Sequence, residues 1–363
     1  MNLEKKKIIL CTDAWYPQVN GVVRCVEETK EFLEKNNFHV TIIHPGLFYS
    51  VPMVFYPEIK FSLFCRVKIK NIIKKEKPDY THIFTEGPIG VSTRSLCIKN
   101  GYKFTTSFHT NFSHYVRHYF HLQVLFFLES IYLFFRRIGN PGYHGPMAGY
   151  AYLCWFHNAS NGTMVATESL KLEVQQRGFL HVLVWPIGVD TALFEKNLES
   201  PVKQKYHSSH PVFIYLGRVS REKNVEAFLK LRLPGIKLII GDGPLRNSLE
   251  GKYRKEAMFV GYKKGKELVN LLSVGDVLVF PSKTDTFGLV IIEALACGLP
   301  VAAYNVMGPK DIIENGVEGF LSDDLGKAAM KCLTINRENC RKKASLFSWE
   351  VSAERFMHNL VKN

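Results

Sequence analysis

The first half of the chain alternates short apolar runs, which end in polar residues, with longer stretches of helical spacing. Val23, Val26, Phe32 and Leu33 recur at the intervals of one helix face. They predict a helix between two strand-like runs, KIILCTD and HVTIIHPG, and two more such runs follow, KPDYTHIFTEGPIG and KFTTSFHTNF. Strands separated by helices of this length predict βαβ units and a parallel sheet.

The second half repeats the pattern with compact apolar strands that end in Gly, Pro, Ser or a charged residue. The runs are PVFIYLGRVSREKN, KLIIGDGP, AMFVGY, DVLVFPS and PVAAYN. In open α/β sheets, ligands bind beyond the carboxyl ends of the strands. We therefore expect the functional residues at these polar strand ends.

The chain length predicts two domains, because 363 residues exceed what one hydrophobic core usually holds. A polar stretch without periodicity, residues 195–211, has the composition of a linker. The resulting division is an α/β fold of two Rossmann-like domains facing across a cleft, with boundaries at 1–195 and 196–345. Residues 346–363 are predicted to form a helix that crosses back to the first domain.

Composition narrows the class of protein. Apolar residues make up 46% of the chain, and eight cysteines are scattered without a CxxC pair, which is typical of reduced thiols in a cytosol. The apolar run after the basic amino terminus is too short for a signal peptide. The most apolar window, 122–138, is interrupted by Glu129 and ends in two arginines, so we expect no spanning helix. A net charge of +14 favours anionic partners such as phosphates, nucleic acid or acidic lipids.

One stretch, SKTDTFGLVIIEALACGLP, places two acids around the start of a predicted helix. The free backbone amides of Phe287, Gly288 and Leu289 would form an anion site at that start. Glu293, two turns along, could reach a ribose, and Asp285 could meet a second polyol. The alternative is that Asp285 or Thr286 only caps the helix and that Glu293 is a solvated surface acid.

Two other strand ends of the same half support a ligand site. Arg218 and Lys223 lie five residues apart in LGRVSREKN, and two cations on one strand-exit loop suit a diphosphate. They could equally belong to a solvated basic loop. The GDGP turn that starts at Gly241 is a weak signal by itself. Taken together, the three strand ends describe a nucleoside-diphosphate site.

The order of these motifs, GRxxxEKN, GDGP, D-x7-E and AxxCGxPV, resembles the carboxyl-terminal domain of retaining glycosyltransferases of family 4, which have the GT-B fold. The first half agrees, since TDAWYPQVNGVVR, TEGPIG, SFHTNF and GVDTALF resemble that family's other loops. The resemblance covers essentially the whole chain. Within that family the chain resembles lipid-linked mannosyltransferases and sulfoquinovosyltransferases.

The resemblance implies a role for each matching residue. Arg218 and Lys223 would hold the donor diphosphate, Glu293 the ribose hydroxyls and Asp285 the sugar hydroxyls. The donor site would also use Gly241 and the amides of Phe287, Gly288 and Leu289. In the first domain, Gly21 would let the backbone close on the donor, His109 would lie beside the reacting sugar, and the acceptor-side loops would supply Asn20 and Glu86.

The chain departs from the family pattern at three places. The first acid of the pair is usually Glu, whereas here it is Asp285, and Ile187 stands where relatives often carry a polar or basic residue. Residues 119–150 are longer and more apolar than the usual connection. These differences bear on donor-sugar preference and on the acceptor side.

The family resemblance also implies a mechanism and a cosubstrate. Transfer would retain the anomeric configuration, with His109, Asp285, Arg218 and Lys223 as the catalytic set and the leaving diphosphate taking the acceptor proton. No metal and no tightly bound cofactor are expected, because protein cations would stabilise the leaving group. The cosubstrate would be a GDP- or UDP-sugar, with mannose favoured.

The acceptor is predicted to be a lipid or a glycan. Residues 60–77 carry seven Lys or Arg and a single Glu among apolar side chains, a pattern that suits the surface of an anionic membrane. The alternative is an outer helix with a solvated lysine face. We expect a cytoplasmic protein that is peripheral at the inner membrane face.

Two other classes of function remain open at the level of sequence. The same fold supports a sugar-nucleotide epimerase or a phosphorylase, the latter with a lysine-bound pyridoxal cofactor. The net charge also fits a basic protein that binds nucleic acid or other anions without catalysis. The basic residues lack the base-stacking aromatic pattern of nucleic-acid modules, so no nucleic-acid partner is expected.

Overall fold

The structure is a computed structural model that describes residues 5–18, 21–53, 56–109, 147–194 and 210–363. The predicted linker, apart from its last residues, and the apolar window at 122–138 lie outside the described residues. The chain forms two compact units. The first comprises Met1–Pro186 and Ser352–Asn363, and the second comprises Ile187–Val351.

Fourteen strands are described. They are β1 (Lys6–Cys11), β2 (Phe38–Ile43), β3 (Ser50–Met53), β4 (Tyr56–Ser62), β5 (Tyr80–Ile83), β6 (Thr105–Phe108), β7 (Gly162–Val165), β8 (Val182–Val184), β9 (Val212–Leu216), β10 (Ile236–Ile240), β11 (Met258–Gly261), β12 (Val277–Phe280), β13 (Val301–Ala303) and β14 (Gly319–Leu321).

The described helices alternate with the strands over most of the chain. They are α1 (Gly21–Lys35), α2 (Cys65–Glu76), α3 (Pro88–Asn100), α4 (Met147–His157), α5 (Glu168–Gln176), α6 (Val225–Leu229), α7 (Arg246–Tyr253), α8 (Gly265–Ser273), α9 (Leu289–Ala296), α10 (Pro309–Ile312), α11 (Leu325–Cys332), α12 (Arg337–Ser345) and α13 (Trp349–Asn359), with a short 3₁₀ helix at Pro45–Leu47.

Each unit contains a parallel six-stranded sheet. The order is β2-β1-β5-β6-β7-β8 in the first unit and β11-β10-β9-β12-β13-β14 in the second. Both orders reverse direction once, between β1 and β5 and between β9 and β12. At such a switch point the loops after two neighbouring strands diverge and leave a crevice, which is where doubly wound folds bind ligands. The predicted α/β class with parallel sheets in two domains is confirmed.

The central strands are apolar because they are buried on both faces. Every residue of β9 and of β12 is buried, and Phe213, Ile214, Val277 and Leu278 are fully inaccessible. Strands of this kind are apolar throughout and have no alternating polar positions. The first polar residues after each strand therefore mark where the sheet ends. A ligand site at those ends therefore rests on a rigid support.

The last helix, α13, begins in the second unit and ends in the first. In the first unit Phe356 is fully buried and packs 4.8 Å from the ring of Trp185. The indole Nε1 of Trp185 donates to the carbonyl and to the hydroxyl of Ser352, at 3.0 and 3.1 Å. These contacts attach the end of the chain to the first unit.

An antiparallel hairpin of β3 and β4 precedes α2. The basic amphipathic segment predicted over 60–77 is therefore a helix only from Cys65 onward. Phe64, immediately before α2, adopts the left-handed conformation with φ of 53°. A residue in that region cannot continue a right-handed helix, so α2 begins after it.

Candidate functional site

In the second unit, the loop after β9 carries Arg218 at the switch point. The hydroxyl of Tyr215 donates to the carbonyl of Arg218 at 2.7 Å, and the amide of Val219 donates to the carbonyl of Asp242 at 2.8 Å. These bonds fix the backbone, while the side chain of Arg218 is exposed and has no ion-pair partner in the described part of the chain. The loop thus presents a guanidinium that is available to an anion.

The GDGP turn is built around the Arg218 loop. A Cβ on Gly241 would lie 1.8 Å from the carbonyl oxygen of Gly217, and a Cβ on Gly243 would lie 2.5 Å from that of Val219. Both glycines also have positive φ, at 146° and 155°. Gly241 therefore has a packing role: the two backbones approach so closely that only glycine fits.

Lys223 and Asp285 join the loops on the two sides of the switch point. The ammonium of Lys223 donates to Oδ1 of Asp285, and both side chains are partly exposed, at 29% and 20%. Two further bonds dock the loops: the side-chain Nδ2 of Asn224 donates to the carbonyl of Pro281 at 3.1 Å, and the hydroxyl of Thr284 donates to the carbonyl of Glu222 at 3.4 Å. The structure thus brings together two of the residues predicted for the site.

Helix α9 begins at Leu289, with Gly288 as its N-cap at φ of 92°. Neither Asp285 nor Thr286 caps the helix, so the alternative explanation for Asp285 does not hold. Phe287 is buried and its ring lies 5.9 Å from that of Phe347, which anchors the loop before the helix. The first amides of an α-helix lack partners within the helix, so the start of α9 offers hydrogen-bond donors on the loop after β12.

Glu293 lies in the middle of α9 and is only 4% exposed. It is therefore not a solvated surface acid, and the second part of that alternative is also excluded. Burying a carboxylate is unfavourable unless other groups interact with it. Such a residue in a short apolar helix is more readily explained by a specific interaction than by solubility.

In the first unit, Asp13 follows β1 directly and caps helix α3. Its carboxylate accepts from the hydroxyl of Thr85 at 2.8 Å and from the amides of Ile89 and Gly90 at 2.8 and 3.2 Å. Burial raises the pKa of Asp13 to about 6, although these hydrogen bonds oppose the rise. The polar network at β1 and β5 therefore centres on an acid that the sequence interpretation did not single out.

Glu86 lies next to this network, after β5. Its Oε1 is 3.2 Å from Nε2 of the buried His157, and its carbonyl accepts from the hydroxyl of Tyr152 at 2.5 Å. Nδ1 of His157 contacts the hydroxyl of Thr106 at 2.9 Å. The carboxylate is 24% exposed, so it combines an anchored position with access to solvent.

His109 follows β6 and is partly buried. Its Nε2 lies 2.8 Å from the hydroxyl of Ser107, and its ring stacks on Phe84 at a centroid distance of 5.8 Å. Burial lowers the pKa of His109 to about 4, so the imidazole is neutral near pH 7. Asp13, Glu86 and His109 all follow neighbouring strands of one sheet.

Comparison with known proteins agrees with this geometry. Residues 19–193 match the family described as Glycosyltransferase Family 4, and residues 197–336 match Glycosyl transferases group 1. The two matches cover both units.

The chain belongs to glycosyltransferase family 4.

Among the relatives of this family 4 chain, a sulfoquinovosyl transferase from Arabidopsis thaliana is 28% identical over 286 residues, which is 75% of this chain and 52% of the plant protein. A GDP-mannose-dependent alpha-mannosyltransferase from Corynebacterium glutamicum is 24% identical over 87% of this chain and 76% of that protein. An alpha-monoglucosyldiacylglycerol synthase from Streptococcus pneumoniae is 24% identical over 96% and 83%. The chain thus spans about half the length of the plant relative and most of the other two.

Solved structures share the fold. A sucrose-phosphate synthase from Thermosynechococcus elongatus superimposes with a TM-score of 0.74 at 18% identity, over 98% of both chains. HepE from Anabaena, solved in complex with UDP-glucose, superimposes with a TM-score of 0.65 at 16% identity, over 97% and 98%. The expected GT-B fold is confirmed.

For two residues predicted for the family 4 site, Gly21 and Asn20, the described residues show no contact that indicates a role. Gly21 is the first residue of α1, and a Cβ there would meet no atom within 4 Å. Its side chain position is therefore open, and packing within the described residues does not require glycine. Asn20 lies outside the described residues.

The structure adds residues that the sequence interpretation missed. Asp13 follows a predicted strand directly, so the rule that pointed to Arg218 and Asp285 would have found it at β1. His157 carried no such signal: it is the last residue of α4, and only the folded chain places it beside Glu86. In the described part of the chain, no cluster of three His, Cys, Asp or Glu residues could hold a metal ion.

The surface of α2 combines cations with exposed apolar side chains. Phe64 is 89% exposed and Val67 is 70% exposed. Arg66, Lys68 and Lys70 are exposed on the same segment, and Lys74, Lys75 and Lys77 follow them. Large exposed apolar side chains beside a basic stripe indicate an interaction surface. Among the described residues, no helix is long and apolar enough to cross a membrane.

Proposed function

We propose that the protein is a retaining glycosyltransferase that moves a hexosyl group from a nucleotide-diphosphate sugar to a lipid or glycan acceptor at the cytoplasmic face of a membrane. The observation that carries the proposal is the placement of Arg218, Lys223, Asp285 and the start of α9 around one switch point. Cations and helix-start amides bind phosphates, and the two acids bind sugar hydroxyls.

The donor binds with its diphosphate at Arg218, Lys223 and the amides of Gly288 and Leu289. Lys223 exchanges its contact with Asp285 for a phosphate oxygen, which leaves the carboxylate free to accept from sugar hydroxyls. Glu293 binds the ribose. Support comes from the exposure of Arg218 and from the short distance between the two loops.

The reaction places the new bond on the face from which the old one leaves. The acceptor oxygen attacks the anomeric carbon as the bond to the phosphate oxygen breaks, and the acceptor proton passes to that oxygen. Arg218, Lys223 and the helix-start amides stabilise the charge on the leaving diphosphate, so no metal ion is required. The family resemblance assigns His109, whose imidazole is neutral, to the reacting sugar and Glu86 to the acceptor.

The donor sugar is mannose carried by GDP, with UDP-sugars as the other candidates. The relative from Corynebacterium glutamicum is GDP-mannose-dependent, whereas the structural neighbour HepE was solved with UDP-glucose. The lipid acceptor is supported by the relative named alpha-monoglucosyldiacylglycerol synthase and by the basic, apolar surface of α2. That surface would bind an anionic membrane peripherally.

A thermal-shift panel with UDP, GDP and their sugars tests the donor site. A ligand at 100 times its Kd stabilises the folded protein by about 2.7 kcal/mol, so the preferred nucleotide will raise the melting temperature clearly. We expect Glu293→Gln, which preserves the shape of the side chain, to abolish the shift. The matched control is Glu267→Gln, at a side chain that is 72% exposed on α8, which should keep the full shift.

Product analysis tests the reaction itself. The anomeric configuration of the product, read by proton NMR, should equal that of the donor, and activity should survive EDTA. A wild-type protein that responds to no nucleotide, or a Glu293→Gln variant with a full response, would remove the donor site from this switch point. Inversion at the anomeric carbon would contradict the mechanism while leaving the site in place.

A further inference from the structure

A hydrogen-bonded chain runs through the buried interior of the first sheet to His109. Nδ1 of His82 lies 2.8 Å from Oγ1 of Thr105, and Nε2 of His82 lies 3.1 Å from Oγ of Ser107. The same Ser107 oxygen lies 2.8 Å from Nε2 of His109. Two strands, β5 and β6, therefore supply a continuous path from Thr105 to His109.

His82 and His109, the two histidines of this hydrogen-bonded chain, are both neutral. His82 is fully buried and meets the rings of Phe84 and Phe356 edge-on at 4.6 and 4.8 Å. Burial and the nearby His109 lower its pKa well below the usual value, and burial also lowers the pKa of His109. A neutral imidazole has one N–H and one bare nitrogen, so each ring must donate at one end and accept at the other.

The single hydroxyl proton of Ser107 couples the two rings. Ser107 lies between two Nε2 atoms, which are its hydroxyl's only hydrogen-bond partners among the described residues. Its one proton can go to only one ring, and if both rings donated to its oxygen that proton would have no acceptor, so one ring donates while the other accepts. The tautomers of His82 and His109 are therefore linked. Two arrangements satisfy the chain, with all donors pointing towards His109 or all pointing towards Thr105.

Thr105 decides between the two arrangements. Its hydroxyl is buried, with 1% of the residue exposed, and among the described residues its only hydrogen-bond partner is Nδ1 of His82. If His82 donated to it, the buried hydroxyl proton would be left without an acceptor, which is strongly unfavourable. Thr105 therefore donates, and each donor along the chain points towards His109.

We infer that His82 is a positioning residue: through Ser107 it holds His109 as the tautomer with its proton on Nδ1. His82 donates from Nε2 to Ser107, and Ser107 donates to Nε2 of His109. Nδ1–H of His109 has no partner in the described part of the chain and serves as a hydrogen-bond donor beyond the end of β6. Its use on the sugar rests on the proposed function, whereas the tautomer does not.

The tautomer can be read directly from protein labelled with ¹⁵N in histidine. Long-range ¹H–¹⁵N correlation spectra distinguish protonated from bare ring nitrogens, and the His109 signals are assigned by their loss in His109→Gln. In the wild type we expect a protonated Nδ1 and a bare Nε2. A protonated Nε2 on His109 overturns the inference.

Three isosteric or near-isosteric variants test the path. Thr105→Val and Ser107→Ala should each give His109 a mixture of both tautomers, because the direction of the chain is no longer set. The matched control is Thr106→Val on the same strand, whose hydroxyl contacts His157 instead. It should leave the His109 spectrum unchanged. An unaltered spectrum in Thr105→Val or Ser107→Ala also overturns the inference.

Kinetics separate this inference from the proposed function. Ser107→Ala should lower turnover about five- to tenfold, the contribution of one neutral hydrogen bond, with unchanged nucleotide affinity. If the wild-type tautomer is as inferred but His109→Gln transfers sugar at the full rate, the role proposed for His109 fails while the tautomer stands. If the tautomer is wrong and His109→Gln is inactive, the inference alone fails.

Discussion

Lys223 and Asp285 neutralise each other across the switch point of the second sheet, one on the loop after β9 and the other on the loop after β12. The proposed donor needs both groups, but for different parts of the molecule: the cation for the diphosphate and the acid for the sugar. Donor binding therefore replaces an existing ion pair. The ion pair keeps each side chain in place. Substitutions of Lys223 and of Asp285 should therefore change the affinity for the nucleotide in opposite directions.

Asp285→Asn should strengthen the binding of UDP or GDP and weaken sugar transfer. Without its carboxylate partner Lys223 is free for phosphate, and a partly exposed pair contributes about 0.2–1 kcal/mol, so affinity should rise by up to about fivefold. Transfer falls because the sugar loses an acceptor for its hydroxyls. Isothermal titration calorimetry with the nucleotide diphosphate and a coupled transfer assay measure the two effects.

Lys223→Met is the matching variant for the other partner. It removes a charge-assisted contact that is worth about 1.5–3 kcal/mol, so the affinity for the same nucleotide should fall at least about tenfold. Opposite signs for the two substitutions are the expected pattern. Equal losses in both would mean that the pair is a structural unit and that Lys223 does not bind phosphate.

Gly21 and Gly241 should respond oppositely to alanine. Gly21→Ala should fold with stability raised by about 0.5–1 kcal/mol, because alanine favours a helix and no atom of the described residues lies near the added carbon. Transfer should nevertheless fall on the order of 10²-fold, because the family resemblance assigns this glycine to the donor site. Urea denaturation and the transfer assay on one preparation provide both numbers.

Gly241→Ala is the contrasting case. The added carbon would lie 1.8 Å from the Gly217 carbonyl oxygen, on a backbone with φ of 146°, so we expect a loss of at least about 3 kcal/mol in the free energy of unfolding. A Gly21→Ala protein with full activity would show that the glycine has no part in donor binding. A stable Gly241→Ala protein would contradict the packing role.

Much of the second unit follows from the sequence, because strand ends in a parallel sheet are local events. Arg218, Lys223 and Asp285 each follow a recognisable apolar run, and the switch point then brings Lys223 and Asp285 together. The first residue of α9 was not predicted correctly. The sequence predicts a helix from Phe287, but Gly288 adopts a left-handed conformation and the helix begins at Leu289. Propensity alone does not reveal such a backbone choice.

The polar contacts of the first unit were harder to predict from the sequence, because they are tertiary contacts between different elements. The pairing of Glu86 with His157 joins residues 71 positions apart, and the chain from Thr105 to His109 joins two strands. No spacing rule indicates either contact. The β3–β4 hairpin was also missed, since its strands are short and its one basic residue, Lys60, continues the pattern of the helix that follows.

The α2 surface should bind anionic vesicles. Phe64→Ser and Val67→Ser together remove two side chains that are 89% and 70% exposed, so they should weaken binding without loss of stability. Replacing Lys70 and Lys74 with Gln should weaken binding by about 1 kcal/mol for each lysine and make it less dependent on salt. Co-sedimentation with vesicles of anionic and of neutral phospholipid measures both effects.

A matched control for the vesicle experiment lies on the second unit. Tyr262 is 58% exposed, and Tyr262→Ser should leave vesicle binding unchanged. Nucleotide thermal shifts should be the same in all these variants, because α2 belongs to the first unit and the donor residues to the second. Unchanged sedimentation in the α2 variants would leave the solvated lysine face as the explanation of this segment.

The neutral state of His109 should make the folded protein sensitive to mild acid. Its pKa is lowered from 6.5 to about 4 by burial, so between these values the folded protein binds fewer protons than the unfolded chain. Above pH 6.5 the ring is neutral in both states and does not affect stability. As the pH falls from 6.5 towards 4 the unfolded chain binds the extra proton, so the free energy of unfolding falls by about 1.4 kcal/mol per pH unit. Asp13 acts in the opposite direction, since its pKa is raised to about 6.

Urea midpoints at pH 7.5 and pH 5 should therefore differ less in His109→Gln than in the wild type, while the exposed control His358→Gln keeps the wild-type difference. Equal differences in all three proteins would mean that His109 carries a proton in the folded state near pH 5.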